Sequence, residues 1–279
     1  MKAHDQRPLQ AFEAAAELLE AQEAREPAAV IVPVDGPSEL VGRRVVVRRS
    51  SDGTLHRVGS FGDEALDEAA LGLGASALEN AAASVDGLHD LVNAGGEKVR
   101  VYVEGHHPHP DLVIVGAGHI AQPLCTVGSL IGFRVIVVDD RPDFATTDRF
   151  PEADRVVRVD FADPFADILI HPASHVVLVT RGHKYDYECL RHLLRMTEEP
   201  SYIGMIGSRR RVRAAFVQLV NEGLPRDRLA KVRAPLGLDI GAETPAEIAV
   251  SVAAEIVLLW RGGGGWPLVD KERVLDRFF

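Results

Sequence analysis

Cysteine is scarce in this chain: Cys125 and Cys189 are the two among 279 residues. Two thiols cannot build a disulfide framework or a cysteine-rich metal site. Long apolar runs are missing as well. The longest nearly apolar stretch, Ile248 to Trp260, contains Glu255 and is too short to span a bilayer, so no membrane partner is expected. Met1 to Asp5 has no apolar signal core before the acidic helical pattern that follows, and a cytoplasmic protein is the expectation. Positive charge is in deficit. Lys and Arg number 31 against 41 Asp and Glu, a net charge of −10, whereas a nucleic-acid binder would show a basic face. What is present suits real cores and a polar surface: 46% of residues are apolar and 26% charged.

The chain reads as two domains. Residues 8–25 follow a helical pattern, with Leu9, Phe12, Ala16 and Leu19 on one face. Ala28 to Val32, Arg44 to Arg48 and Val99 to Val103 look like strands, and 63–82 like a second helix. This α+β domain is expected over 1–105. Two prolines, Pro108 and Pro110, stop any helix or central strand, so 106–110 is expected to be a linker. Its histidines, His106, His107 and His109, lack a metal-ligand spacing such as His-x-x-x-His, and the polar-linker reading is favoured.

From 111 to 265 strands and helices alternate, with residues 266–279 left as a tail. Strands are expected near 112–116, 134–138, 155–159, 175–180 and 202–206. Helices are expected near 119–131, 186–197, 208–222 and 245–261. The alternation predicts an α/β fold: a Rossmann-like, mostly parallel sheet with helices on both faces, preceded by the smaller α+β domain. The first strand runs into Gly116-Ala117-Gly118, with Ala121 at the third small position and Asp139 at the end of the second strand. Gly116 permits the tight turn, Gly118 lets a phosphate approach the backbone, and Ala121 allows close helix–strand packing. The helix start offers free N–H groups to a pyrophosphate. Asp139 sits where ribose hydroxyls are usually accepted; the alternative is a turn-forming Asp before Arg141-Pro142.

Ligands bind open parallel sheets at the carboxyl ends of the strands. Unusual residues follow those ends here: Gly116, Gly118 and His119; then Asp139, Asp140 and Arg141; then Thr180, Arg181, Gly182 and His183; then Gly207 to Arg211. Ser208 is a good N-cap, which puts Arg209, Arg210 and Arg211 in a helix's first turn. Cations there oppose the helix dipole by a few tenths to about 1 kcal/mol each. A bound anion would reverse the sign; pairing with Asp239 or Glu243 is the alternative. His183 reads as a base, a phosphate or pterin contact, or a plain loop residue, and Asp186 as the N-cap of the next helix. Thr244, Pro245 and Glu247 form a capping box whose helix should bury Ile248, Val252, Ile256 and Leu259. Gly237, Asp239, Gly241 and Glu243 before it suggest a rigid loop touching a ligand or partner. No catalytic residue and no metal ligand is assigned. Cys125 and Cys189 fall on helices and read as packed, inert thiols.

These residues resemble the XdhC/CoxI family of accessory proteins for xanthine dehydrogenases and related molybdenum hydroxylases. The resemblance is carried by Val-Gly-Ala-Gly-His-Ile (115–120), Thr-Arg-Gly-His-x-Tyr-Asp (180–186), Ile-Gly-Ser-Arg-Arg-Arg (206–211) and Gly-Leu-Asp-Ile-Gly-Ala-Glu-Thr-Pro (237–245). It implies a chaperone more than a catalyst, one that binds molybdenum cofactor, a pyranopterin, and assists its entry into a hydroxylase. It also implies a hydroxylase partner, a cofactor-sulfurating protein and a homodimer. In the first domain the family pattern has a cysteine where this chain has Ala65, after Gly62-Asp63-Glu64, with Asp67 in place of Glu. Sulfur handling by that position is therefore not expected here. Two other readings stay open. One is an NAD-dependent oxidoreductase, supported by the glycine turn and Asp139. The other is a nucleotide-sensing module that binds without turnover.

Overall fold

A computed structural model describes residues 7–50, 52–79 and 85–271. The expectations for Met1 to Asp5, for the end of the second helix and for the last part of the tail lie outside these. The chain divides into two compact units between Pro108 and His109.

In the first unit the order is α1 (Ala11–Ala24), β1 (Ala28–Asp35), β2 (Val45–Arg49), β3 (Leu55–Val58), α2 (Glu64–Ala77), β4 (Gly87–Val92) and β5 (Lys98–His106). The strands form an antiparallel sheet ordered β3-β2-β1-β5-β4. β3 and β4 are edge strands whose polar, half-exposed residues carry too little alternation to be read from sequence. β5 alternates strictly, with Val99, Val101 and Val103 buried, and continues through His106 into the segment read as linker. Those three valines pack with Leu66, Ala70 and Ala77 of α2. On α1 the expected stripe is wrong: Phe12 and Leu19 point outward, and Ala14 and Ala21 are buried. The chain offers two apolar stripes, and the alanine one lets the helix lie closest to the sheet.

The second unit runs β6 (Asp111–Val115), α3 (Ala121–Leu130), β7 (Arg134–Asp139), β8 (Arg155–Arg158), β9 (Ser174–Leu178), α4 (His183–Leu193), β10 (Tyr202–Met205), α5 (Arg209–Asn221), α6 (Arg226–Ala230), α7 (Pro245–Arg261) and α8 (Leu268–Lys271). Its five strands are parallel, in the order β10-β9-β6-β7-β8. Strand parity sorts the core. Val113, Val115, Val176 and Leu178 face α4 and α5, while Leu112, Ile114, Val177 and Val179 face α3 and α7. This is the expected Rossmann-like layer with helices on both faces. The order reverses between β6 and β9, so the switch-point crevice lies beside the Gly116 turn.

α7 starts as its sequence says: Thr244 Oγ1 accepts from Glu247 N–H, and the Glu247 carboxylate accepts from Thr244 N–H. Val252 and Ile256 are buried, but Leu259 is 42% exposed; Ala249, Ser251 and Ala253 fill that face instead. The amino end of the sheet is closed by its own charges. Buried Asp111 accepts from Arg134 Nε (3.0 Å) and meets His171 Nε2 (3.0 Å). The carboxyl end is arranged differently.

Candidate functional site

β6 delivers Gly116 in a conformation with φ +106°. A Cβ there would lie 2.7 Å from the Val179 carbonyl oxygen, so the neighbouring strand itself demands glycine. Gly118 has no such neighbour: a Cβ would meet nothing within 4 Å. The space above Gly118 is open, as close approach of a ligand requires. Ala121 is fully buried against the sheet. α3 begins without a side-chain cap. The Gly116 N–H donates to Val138 O, that of Ala117 to Asp139 Oδ2, and that of Ala121 to Gly118 O. The N–H groups of Gly118, His119 and Ile120 find no partner among the described residues. Three consecutive free donors at the positive end of a helix suit an anion.

Asp139 is turned into the protein. It is 1% exposed and accepts from Ala117 N–H (2.7 Å), Arg141 N–H (3.0 Å), Arg141 Nε (2.8 Å) and Arg141 Nη2 (2.8 Å). Burial disfavours its charge, but the Arg141 guanidinium and these amides outweigh burial and hold the carboxyl well below the usual carboxylate range. In the structure Asp139 buttresses the glycine turn, and Arg141 is the residue that pairs with it. Arg141 also lies 3.6 Å over the Phe144 ring. Arg149, which sequence reasoning missed, lies 4.7 Å over the same Phe144 ring. Its Nη2 donates to Ala117 O (3.3 Å), and its Nε is buried without a partner. It comes from a short turn between β7 and β8, where no motif marks it.

The loop after β9 is braced from below. Thr180 Oγ1 donates to Asp186 Oδ1 (2.5 Å), and Asp186 is fully buried inside α4. Gly182, and not Asp186, is the N-cap residue of α4. Asp186 instead binds Arg211, whose Nε donates at 2.6 Å and whose Nη2 also reaches Thr180 O. Burial pushes the Asp186 carboxyl up, against the opposing pull of Thr180 and Arg211. The three arginines therefore divide. Ser208 caps α5 by accepting from Arg211 N–H. Arg211 is turned inward onto Asp186 and Thr180. Arg209 and Arg210 are exposed and pair with no described residue, Asp239 and Glu243 included. His119 is exposed beside the glycine turn, with no partner among the described residues, and His183, exposed at the first position of α4, acts electrostatically on Asp186.

The loop before α7 is held by hydrogen bonds to α7. Gly237 has φ +98°, and a Cβ there would collide with Ser251 Oγ. Its N–H donates to Glu255 Oε2 (3.0 Å), which also accepts from Tyr202 OH (2.6 Å), and Ser251 Oγ donates to Leu238 O (2.6 Å). Asp239 and Glu243 stand exposed on this clamped segment. Both cysteines are buried. Burial pushes the Cys125 thiol up to about 12 and raises that of Cys189 further. Among the described residues no group of three His, Cys, Asp or Glu could hold a metal, the 106–109 histidines included. Ala65 lies exposed in the first turn of α2.

The model of the XdhC Rossmann domain family matches residues 112–256. An uncharacterized protein of Escherichia coli K12, YqeB, is 33% identical over 164 residues, covering 58% of this chain and 29% of that protein. A Bacillus subtilis protein described as a probable xanthine dehydrogenase component is 32% identical over 161 residues, covering 58% of this chain and 46% of that protein. The chain thus matches less than half the length of either relative. A crystal structure of a xanthine dehydrogenase from Bacillus halodurans superposes with a TM-score of 0.51 at 21% identity, covering 89% of this chain and 96% of that one. At that identity the likeness is one of fold.

Proposed function

From the premise that the chain belongs to the XdhC Rossmann domain family, we propose that it binds molybdenum cofactor and assists maturation of a xanthine dehydrogenase-type hydroxylase. The family's relation to xanthine dehydrogenase supports an accessory role at the family level. The observation that carries the cofactor reading is the row of unpartnered amides at Gly118, His119 and Ile120 beneath the open space over Gly118. These residues fit a phosphate, through N–H donors and the helix dipole. The phosphate of a pyranopterin, or the diphosphate of its dinucleotide form, would sit there. Arg209 and Arg210 supply uncompensated positive charge in the first turn of α5, which follows β10. The protein's contribution is to hold and orient the organic part. The bound group itself would supply the molybdenum chemistry to the hydroxylase.

An NAD-dependent role draws less support, because the acid it would use for ribose, Asp139, is buried and fully engaged. The partner in this reading is the hydroxylase, with the sulfurating protein upstream and a homodimer as the working unit. The test is to purify the chain from cells with intact cofactor synthesis and measure molybdenum and oxidised-pterin fluorescence. The expected result is both, co-purifying with the native chain and lost from Gly118→Val. Bound NAD, or a Gly118→Val protein that keeps the pterin, would overturn the proposal.

A further inference from the structure

Arg181 bridges the crevice at the switch point. It leaves the end of β9, and its guanidinium reaches Asp140 at the end of β7: Nη1 donates to Oδ1 at 2.6 Å and Nη2 to Oδ2 at 2.8 Å. β6 lies between those two strands. The side-chain pair therefore crosses the carboxyl end of the strand that feeds the glycine turn, a span of about two strand spacings, roughly 10 Å. The guanidinium is held in place from one side, 4.2 Å over the Tyr185 ring, with Nη2 donating to the Tyr185 hydroxyl (2.6 Å). Asp139 Oδ1 lies 3.7 Å from Nη1, but Asp139 is committed to Arg141. A cavity of about 340 Å³ opens beside the pair, with Asp140, Asp160, Phe161 and Tyr185 in its wall.

This ion pair is not explained by stability. Its side chains are 36% and 29% exposed, and pairs so placed contribute about 0–1 kcal/mol. What the arrangement does provide is a guanidinium fork, oriented by an aromatic ring and holding two oxygens of one anion. The same fork accepts two oxygens of a phosphate, with greater charge and a better geometric match. Asp139 and Arg141 neutralise each other, as do Asp140 and Arg181, so an incoming phosphate must displace a carboxylate to reach an arginine here.

We propose that Arg181 is the residue that reads the ligand's phosphate, and that Asp140 holds its fork until the phosphate takes the carboxylate's place. The exchange rests on the phosphate-edge reading above. It makes Arg181 a specificity determinant for phosphorylated ligands and Asp140 a built-in competitor. Neutral ligands, unable to displace Asp140, are excluded from the crevice.

Inorganic pyrophosphate titrated calorimetrically into the full-length chain tests this. Asp140→Asn frees the fork and should tighten binding about two- to fivefold, the range set by the weak pair it removes. Arg181→Gln should weaken binding at least about tenfold, the size of a lost charge-assisted contact. In the double variant the Asp140→Asn gain should vanish. Melting curves beside each titration identify any variant that unfolds, and Arg181→Lys, which keeps the charge and loses the fork, should fall between wild type and Arg181→Gln. Binding by the wild type that Asp140→Asn leaves unchanged or weakens, or that Arg181→Gln leaves unchanged, overturns the exchange alone. A wild-type chain that binds no pyrophosphate overturns the phosphate-edge reading and the exchange with it.

Discussion

The turn leading into α2 holds Gly59 and Gly62; the turn leading into α3 holds Gly116 and Gly118. In each, the first glycine has positive φ and is crowded. A Cβ on Gly59 would lie 2.9 Å from Leu9 Cγ, and one on Gly116 2.7 Å from Val179 O. In each, the second glycine faces open space. The acids make the difference. Before α2, Asp63 accepts from Leu66 N–H and Ala94 N–H, while Asp67 accepts from Phe61 N–H and Ser60 Oγ and pairs with Arg57. These acids claim the Phe61, Leu66 and Ala94 amides and put negative charge at that turn. Before α3, Asp139 takes Ala117 N–H alone from the turn, and the next three amides stay open. The same strand–glycine–helix grammar gives a turn filled by acids in one unit and a turn with three consecutive unclaimed amides in the other. The difference teaches that two turns with the same glycines differ in the donors their acids leave unclaimed.

The comparison can be broken at its arginines first. Arg211→Ala should cost about 3 kcal/mol or more by urea denaturation, because it strands the buried Asp186 carboxylate. Arg210→Ala should leave the free protein as stable or slightly more so, since a cation is removed from a helix N-terminus, yet weaken pyrophosphate binding. If Arg210→Ala alone destabilised the free protein by about 1 kcal/mol or more with binding intact, the division of the arginine turn would be wrong. Next come the glycines. Gly116→Val should lose about 3 kcal/mol from strain and backbone collision, whereas Gly118→Val should melt like wild type and lose ligand. Equal damage from both would mean that the space over Gly118 is not open.

A third test uses acid. Burial holds the His175 pKa down at about 4, against about 6.5 in an unfolded chain. The unfolded chain takes up this proton first, so the contribution is full above about pH 6.5 and is lost as pH falls toward about 4. The loss is about 3 kcal/mol. His175 lies in the core of the second unit, its ring 5.0 Å from that of Phe133. His175→Phe should flatten this part of the melting-temperature profile; an unchanged profile would remove His175 from the account. The smallest effect belongs to the turn before α2. Asp63→Ala removes the α2 cap and should cost about 1 kcal/mol with pyrophosphate affinity unchanged. A matching loss of affinity would show that the first unit takes part in binding.

Much of this was legible in the sequence. The alternation of strands and helices after 111 pointed to the parallel sheet, and the Thr244-Pro245-Glu247 box placed the start of α7. What stayed hidden depended on partners distant in sequence or on choices among equals. Nothing local says which of three consecutive arginines turns inward; that is decided by Asp186, 25 residues earlier. The spacing of Asp139 from the glycine turn is right for a ribose, but Arg141, two residues on, claims it. Arg181 was visible within its motif, but its fork on Asp140 exists only once β9 and β7 flank β6.

The most direct measurement is an amide NMR titration of the isotopically labelled full-length chain with inorganic pyrophosphate. The account predicts saturable shifts of the Gly118, His119 and Ile120 amides, with Phe61, Leu66 and Ala94 unmoved. Shifts absent from 118–120, or equally large at the α2 turn, would contradict it.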